Sequence, residues 1–429
     1  MTLVARTRRL DRDVDLLAVA GADGVLFERG RAGLAGRGVA ARIPWTAGDP
    51  AAAARAAADA LAAIDADDQV GQPGCGPVAF GALPFVPGSP CELLVPAVVV
   101  GRADDGTRWL TTIGPADDAA NADDADDPDG VVAALAGERT GPRSAIWSAP
   151  GASPQHFTVE ATTAPEDWCA LVERATKMLA GQPPGGLSKV VLAREILVAT
   201  DRPLDRVAVL QRLRSAYPGC YLLSVDGLVG ASPELLVSRS GETVRSHPLA
   251  GTAPRGGDPA TDQRLAASLL ASAKDRGEHQ ITIDMVHDTL VGWCSYLDYE
   301  AEPSILAVAN VQHLATLVEG RLSRPAPSVL ELVAALHPTP AVAGWPREPA
   351  VEWIVAHEGF DRGRYTGTVG WADAAGNGTW AVTVRCAEID GTAARVIAGN
   401  GIVADSDPVA ELAETQAKLQ ALLSAIVRP

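Results

Sequence analysis

The pattern of apolar and polar positions after residue 187 predicts strands that alternate with helices. Short apolar runs rich in β-branched residues indicate strands, and longer runs with helical spacing indicate helices around 262–298, at 328–336 and at 408–427. Short turns such as Asp373 to Gly378 favour antiparallel pairing, because parallel strands would need a long crossover connection. The strand-like runs are KVVLAREILV, YLLSVDGLVGA, ELLVSR, TGTVGWAD, TWAVTVRCAEI and ARVIAGNGIV.

The N-terminal third shows a different pattern of predicted helices, strands and loops. Positions 49–68 predict an Ala-rich helix, with Asp49 as its cap and Pro50 in its first turn. Strands punctuated by proline follow at 77–100, and positions 114–130 form an acidic segment predicted to be a surface loop. The run at 164–182 predicts a further helix. We expect residues 1–155 to be the N-terminal portion of the same fold and residues 156–429 to form the catalytic region.

Composition and charge exclude some classes of partner and of binding site. The 429 residues carry a formal charge of −17, which disfavours a nucleic-acid partner, because phosphate binding needs a basic surface. The six cysteines form no C-x-x-C pair, a pattern that suits reduced thiols better than a zinc site or disulfide framework. No secretory segment or membrane-spanning run is evident, so we expect no membrane partner and a cytoplasmic protein.

One acidic residue stands in an apolar setting. Glu234 follows Pro233 and precedes Leu235 in the centre of a stretch that predicts two short strands joined by a turn at 240–242. The carboxyl group either faces water or is buried, and burial would raise its pKa and keep it protonated. A protonated Glu234 could act as a general acid.

Lysine is scarce in this chain, which makes each lysine informative. Only four of the 36 basic residues are lysine, and arginine does not release a proton at working pH. Lys189 begins an apolar strand, where removal from water would favour the neutral amine, a usable base. An exposed strand-edge lysine is an equally good interpretation of the sequence.

Two predicted helices each carry a pair of acidic residues three positions apart. Asp275 and Glu278 lie on one helix, and Glu411 and Glu414 lie on the last helix, on one face with Lys418. If the helices face each other, the carboxylates suit Mg²⁺, which takes oxygen ligands and keeps several waters. The alternative is a solvated charged face on each helix.

A glycine pattern precedes the last helix. Gly399-x-Gly401-x-x-Ala404 imitates a dinucleotide-binding turn. No second strand follows it to complete a βαβ unit, and Asp405 and Asp407 would repel a pyrophosphate. Close approach of the backbone, or a tight turn, explains the glycines better.

A series of motifs runs along the chain between about 160 and 429. The motifs are SKVVLAREI, GASPELLVSR, HPLAGTAPRG, SAKDRGEHQ, QHLATLVEG, LHPTPAVAGWPRE, FDRGRYTGTVGW, TVRCAEI, AGNGIVADSDP and ELAETQAKL, with FGALPF as a looser match near the N-terminus. The series resembles the chorismate-utilising enzymes, which include isochorismate, salicylate, anthranilate and aminodeoxychorismate synthases. The resemblance implies an α/β (α+β) fold like that of anthranilate synthase component I, with two stacked, antiparallel-rich sheets surrounded by helices. It also implies chorismate as the substrate and Mg²⁺ as the cofactor.

The resemblance also implies roles for individual residues. Glu278 and Glu414 resemble metal ligands, with Asp275 and Glu411 assisting directly or through water. Lys189 resembles the base that activates water, and Glu234 resembles the acid that protonates the departing hydroxyl. The remaining positions resemble those that hold the substrate: His313 near the ring, and Gly251, Thr252, Tyr365, Arg385, Gly399 and Lys418 around the carboxylates and the enolpyruvyl group.

Two positions argue against the aminating members of the family. Those members generally lack a lysine at the position of Lys189, and aminodeoxychorismate synthases usually carry a lysine nucleophile where this chain has Ala250. We therefore expect isomerisation of chorismate to isochorismate, by water attack at C2 and loss of the C4 hydroxyl.

Elimination of pyruvate to give salicylate is the alternative, and an anthranilate-type subunit is a third hypothesis. No obligatory glutaminase partner is expected. A monomer or a homodimer, and a menaquinone or a siderophore pathway, remain open.

Overall fold

A computed structural model describes residues 2–117, 127–136 and 154–427. Within these ranges the strands are β1 (Leu3–Arg9), β2 (Val25–Arg29), β3 (Ala32–Arg37), β4 (Ala41–Trp45), β5 (Asp65–Asp68), β6 (Val78–Leu83), β7 (Cys91–Val95), β8 (Val98–Arg102), β9 (Arg108–Pro115), β10 (Phe157–Ala161), β11 (Lys189–Thr200), β12 (Tyr221–Val225), β13 (Leu228–Ser232), β14 (Leu235–Ser240), β15 (Thr243–His247), β16 (Leu249–Pro254), β17 (Cys294–Tyr299), β18 (Ser304–Ala307), β19 (Val311–Ala315), β20 (Val318–Leu322), β21 (Gly344–Trp345), β22 (Thr368–Asp373), β23 (Gly378–Val382), β24 (Cys386–Asp390) and β25 (Ala393–Ile402). The helices are α1 (Leu16–Ala20), α2 (Pro50–Ala62), α3 (Pro128–Leu135), α4 (Pro165–Ala180), α5 (Arg206–Ala216), α6 (Pro259–Ala271), α7 (Ala273–Val291), α8 (Val329–Leu336), α9 (Arg347–His357) and α10 (Pro408–Ile426).

The strands of the described residues form two large sheets and one small sheet. The larger sheet has the order β10-β11-β25-β24-β13-β12-β2-β3-β8-β9-β1-β5, with β21 beside β11. The second sheet runs β17-β20-β15-β14-β23-β22-β6-β7-β4, and the small sheet runs β16-β19-β18. Strands β1 and β5 pair in parallel, whereas neighbours such as β11 and β25 or β22 and β23 pair antiparallel, as the short turns predicted.

The two large sheets stack face to face. Large apolar side chains from both sheets fill the space between them, among them Phe27 and Trp109 from one sheet and Phe80 and Trp371 from the other. Helices α1, α5 and α10 cover the outer face of the larger sheet, while α2, α7 and α8 cover the second sheet. None of the described helices is both long and apolar enough to cross a lipid bilayer.

Strands from before and after residue 155 share both large sheets, since β2 pairs with β12 and β6 pairs with β22. The boundary proposed near residue 155 stays a prediction. The prediction that residues 114–130 form a loop is wrong at both ends. Gly114 and Pro115 end strand β9, and residues 128–130 begin helix α3, which Asp127 caps. Residues 118–126 of that segment lie outside the described part of the chain.

Two other predictions of secondary structure need correction. Asp49 caps α2 as expected, but the helix ends at Ala62, and residues 65–68 instead pair with β1 as strand β5. The helical run predicted at 262–298 is two helices separated at Ser272, whose hydroxyl accepts a hydrogen bond from Asp275 N, followed by strand β17. The Gly399–Gly401 pattern lies inside strand β25, which pairs with β11.

Candidate active site

One cavity gathers residues from distant parts of the chain. Helices α7 and α10 form one side, strands β11, β25 and β16 contribute backbone, and the turns before β22 and β24 close it. Lys189 is the one predicted site residue that is not in the cavity wall; it reaches Glu278 from the start of β11. The predicted residues that line the cavity are Glu234, Gly251, Thr252, Asp275, Glu278, His313, Tyr365, Arg385, Gly399, Glu411, Glu414 and Lys418.

Lys189 is buried and paired with an acidic residue. Its side chain is 3% exposed, and Nζ donates to Glu278 Oε1 at 2.6 Å. Gly401 on β25 leaves the space for this pair, since a Cβ there would lie 2.6 Å from Lys189 Cε and 3.0 Å from Glu278 Oε1. The alternative of an exposed strand-edge lysine is therefore wrong. Burial raises the pKa of Glu278, but the charge and hydrogen bond of Lys189 act together with the charges of Lys418 and Lys274, and the net effect lowers that pKa below its ordinary value.

Glu234 is buried in the bend between β13 and β14. It is 5% exposed, and Leu249 N donates to its Oε1 at the long distance of 3.5 Å. Burial raises the pKa of Glu234 to about 8, against the opposing effects of that hydrogen bond and of Lys189 and Arg385. The carboxyl group is therefore protonated at neutral pH, as the apolar sequence around it suggested.

This burial predicts a pH-dependent contribution to stability. The native protein holds the Glu234 proton up to about pH 8, whereas the unfolded chain releases it near the ordinary value of 4.5. The contribution is thus fully present below the unfolded pKa and is lost as pH rises through the folded pKa. As pH rises from 5 to 8, wild type should lose up to about 4 kcal/mol in its free energy of unfolding through this residue, and Glu234→Gln should not show this loss.

Urea unfolding of wild type and Glu234→Gln at both pH values measures this difference. Glu242→Gln is the matched control, because Glu242 lies in the turn between β14 and β15 and pairs with exposed arginines. Equal pH dependence in wild type and Glu234→Gln would contradict the buried, protonated state.

The four acidic residues of the two helices face one cavity, as the resemblance implied. On α10, Lys418 Nζ lies 2.7 Å from Glu414 Oε1 and donates to Gly399 O at 2.9 Å. Asn400 Nδ2 donates to the carboxylate of Glu411. Burial raises the pKa of Glu411, and the neighbouring charge of Glu414 acts in the same direction. A cation placed here would relieve this repulsion.

The residues present suit a hard divalent cation by their chemistry. All four acidic side chains offer oxygen ligands, and Mg²⁺ needs only one or two protein carboxylates because it keeps several waters. Across residues 2–117, 127–136 and 154–427, no three acidic, histidine or cysteine side chains converge as a ready-made metal cluster. Mg²⁺ therefore stays a proposal for this site.

Arg385 and His313 make another part of the cavity wall suited to an anion. Arg385 has a left-handed backbone with φ of 56°, and its guanidinium Nε is buried without a hydrogen-bond partner. Burial lowers the pKa of His313 to about 3, so the imidazole is neutral. Its Nδ1 lies 3.3 Å from Gly251 O and 3.0 Å from Thr252 Oγ1, which favours the tautomer protonated at Nδ1. His313 Nε2 can then accept from Arg385 Nη2 at 3.5 Å.

Sequence reasoning left some cavity residues without a role. Asn400 holds Glu411, and its position between two close-packed glycines was the available signal. Lys274 also lines the cavity, so three of the four lysines lie at this site, and lysine scarcity could have singled it out. The buried pair Glu358–Arg362 beneath the cavity gave no signal in the sequence beyond an i, i+4 spacing.

Comparison with known proteins identifies the family. The family model described as "Chorismate binding enzyme" matches residues 26–427, and the chain belongs to this family. It is 43% identical over 281 residues to isochorismate synthase DhbC of Bacillus subtilis, a match that covers 63% of this chain and 70% of that protein.

Solved structures share the fold. The menaquinone-specific isochorismate synthase MenF of Escherichia coli superposes with a TM-score of 0.78 and 25% identity, covering 99% of this chain and 95% of that one. Anthranilate synthase component I of Streptococcus pneumoniae has a TM-score of 0.66 and 24% identity, covering 85% of each chain. The predicted fold class, with stacked antiparallel-rich sheets and helices outside, is confirmed.

Proposed function

We propose that this enzyme is an isochorismate synthase that converts chorismate to isochorismate. The observation that carries the proposal is a pair of buried proton-transfer candidates: Glu234 lines the cavity, and Lys189 contacts the cavity residue Glu278 from behind the wall. Glu234 holds its proton at neutral pH, and Lys189 is the buried amine on a separate strand. Each proton-transfer partner is typically worth about 10²–10⁴ in rate.

In the proposed reaction, Lys189 first loses the proton that it donates to Glu278, and the neutral amine then accepts a proton from the water that attacks C2 of chorismate. The ring double bonds shift, and Glu234 donates its proton to the C4 hydroxyl, which leaves as water. One water is added and one is released, so the reaction is an isomerisation. When bound, Mg²⁺ held by Glu278 and Glu414, with Asp275 and Glu411 assisting, supplies charge that neutralises the ring carboxylate.

The other cavity residues hold the substrate in this proposal. Arg385 binds a carboxylate, because its guanidinium faces the cavity and its Nε has no partner among the described residues. Neutral His313 lies near the ring, Tyr365 helps to hold the carboxylates and the enolpyruvyl group, and Lys418 fixes the backbone at Gly399. Fixed placement of the reacting groups lowers the entropic cost of the reaction.

Water is favoured over ammonia as the nucleophile. Ala250 lines the cavity at the position where aminodeoxychorismate synthases usually carry a lysine nucleophile. No glutaminase partner is then needed. The six free thiols suit a reducing compartment, so we propose a cytoplasmic enzyme.

The product assay tests the proposal directly. The purified protein is mixed with chorismate and MgCl₂, and the products are separated by chromatography. Isochorismate alone is the expected result. Salicylate with pyruvate would support the alternative, turnover only with added ammonia would support an aminating enzyme, and no turnover under any condition would contradict both isochorismate and salicylate formation.

Removal of a proposed metal ligand should weaken metal binding as well as turnover. Glu278→Gln and Glu414→Gln should each lower the affinity for Mg²⁺ about tenfold or more, because each removes a charged oxygen ligand. Titration calorimetry with MgCl₂ measures this without relying on activity. Glu173→Gln, which changes an exposed acid on α4, is the control. Unchanged Mg²⁺ affinity in both variants would place the metal elsewhere.

A further inference from the structure

The ion pair Glu358–Arg362 lies beneath the cavity and is almost completely removed from water. The side chains are 1% and 2% exposed, and the two groups meet in a bidentate contact of 2.6 and 2.7 Å. A buried pair of this kind is weak evidence for a contribution to stability, because desolvation offsets much of the attraction. Its role therefore needs another explanation.

Every N–H of the Arg362 guanidinium has a partner, and these partners include cavity-wall residues. Nη2 donates to Val191 O at 2.6 Å, and Nη1 donates to Val342 O and to Thr366 Oγ1, both at 3.1 Å. The two remaining contacts are those to Glu358. Val191, Val342 and Thr366 all line the cavity, although they come from three separate segments. One planar group thus joins three parts of the wall.

The pair also replaces a missing neighbouring strand. On the edge of β11 away from β25, β21 pairs with residues 189–190 and β10 begins to pair only at Ile196. Between them, Arg362 satisfies Val191 O and Glu358 Oε1 accepts from Ala193 N at 2.7 Å. The opposite edge of this stretch pairs with Asn400 and its flanking glycines on β25. The position of that backbone at the cavity floor therefore depends on the pair.

Tyr365 is held by both the side chain and the backbone of Arg362. The Arg362 guanidinium lies 5.9 Å from the Tyr365 ring centre, and Arg362 O accepts from Tyr365 N at 3.0 Å. Thr366, with a left-handed φ of 56°, donates from Oγ1 to Tyr365 O at 2.6 Å while accepting from Arg362. The turn that presents Tyr365 to the cavity is thus tied to the guanidinium on two sides.

We propose that Glu358 and Arg362 are positioning residues for the active site, which fix the cavity wall through Val191, Val342 and the Tyr365–Thr366 turn. Neither residue contacts the reacting atoms. This role rests on the proposed isochorismate synthase function where it is tested by turnover. Where it is tested by chorismate binding, it rests only on the membership of the chorismate-binding family.

Arg362→Lys separates positioning from stability. A lysine keeps the charge opposite Glu358 but offers three donors without a planar fork, so it cannot serve all five acceptor contacts. Relative to Arg362→Met, which leaves Glu358 unpaired, Arg362→Lys should recover most of the melting temperature. It should not recover kcat/KM, which we expect to fall about tenfold to 10²-fold, as expected for a displaced wall.

The control is Arg214→Met, which breaks the remote pairs of Arg214 with Asp15 and with buried Glu28. The Arg214→Met variant should be less stable than wild type. Its kcat and KM should equal those of wild type when they are measured at a temperature at which circular dichroism shows all variants to be folded. Chorismate affinity, measured by calorimetry, should fall in Arg362→Lys and not in the control. A folded Arg362→Lys with wild-type chorismate affinity, and with wild-type kcat/KM where wild type turns over, would overturn the positioning role. Absence of turnover in wild type would instead contradict the proposed function, and the affinity comparison would still decide the role of the pair.

Discussion

Lys189→Ala is expected to lower kcat for the conversion of chorismate to isochorismate by about 10²–10⁴-fold. The substitution removes a buried amine that contacts the carboxylate of Glu278, a residue of the cavity wall. Water is a poor nucleophile unless a base accepts its proton in the transition state, so loss of the base should reduce kcat more than it raises KM. Steady-state kinetics with product separation measure both values.

The control for this substitution is Lys177→Ala on α4, where the lysine side chain is 79% exposed and pairs with Glu173. Its kinetics should match those of wild type. Because Lys189→Ala also leaves Glu278 without its partner, thermal unfolding must show that the variant is folded at the assay temperature. A folded Lys189→Ala that retains wild-type kcat would remove Lys189 from the role of base.

Local sequence patterns predicted much of the fold because its strands are joined by short turns. The turn from Asp373 to Gly378 is read from neighbouring residues, and β22 and β23 pair as it predicts. Strand β5 was missed because its four residues, Asp-Ala-Asp-Asp, have low strand propensity and form a strand only by pairing with distant β1. The order of strands in the large sheets likewise depends on contacts between distant segments, which no local pattern specifies.

The site shows the same limit at the level of single side chains. The sequence raised burial of Lys189 and Glu234 as alternatives, and only packing decided between burial and exposure. In Lys189 the decisive neighbour is Gly401, which is 212 positions away in the chain and leaves room for the lysine side chain. Glu358 and Arg362 were missed because an acid and a base four positions apart at a helix end are typical of exposed, weakly interacting pairs.

Glu234→Gln tests the other half of the proposed chemistry. The amide preserves the size of the side chain but has no acidic proton to give to the departing C4 hydroxyl, so kcat should fall by about 10²–10⁴-fold. Glu242→Gln, in the adjacent turn and salt-bridged to Arg321 and Arg324, should keep wild-type kinetics. Wild-type turnover by Glu234→Gln would exclude Glu234 as the acid.

The pH profile of the wild-type enzyme gives an independent test of the same residue. A general acid works only while protonated, and burial raises the pKa of Glu234 to about 8. kcat/KM, which reports the free enzyme, should therefore decline above about pH 8, rather than above the pH of 4 to 5 at which an exposed glutamate loses its proton. The residual activity of Glu234→Gln should lack this decline. If the variant retains the same alkaline limb, another group must lose the proton, and the apolar surroundings of Glu234 would then serve packing and not catalysis.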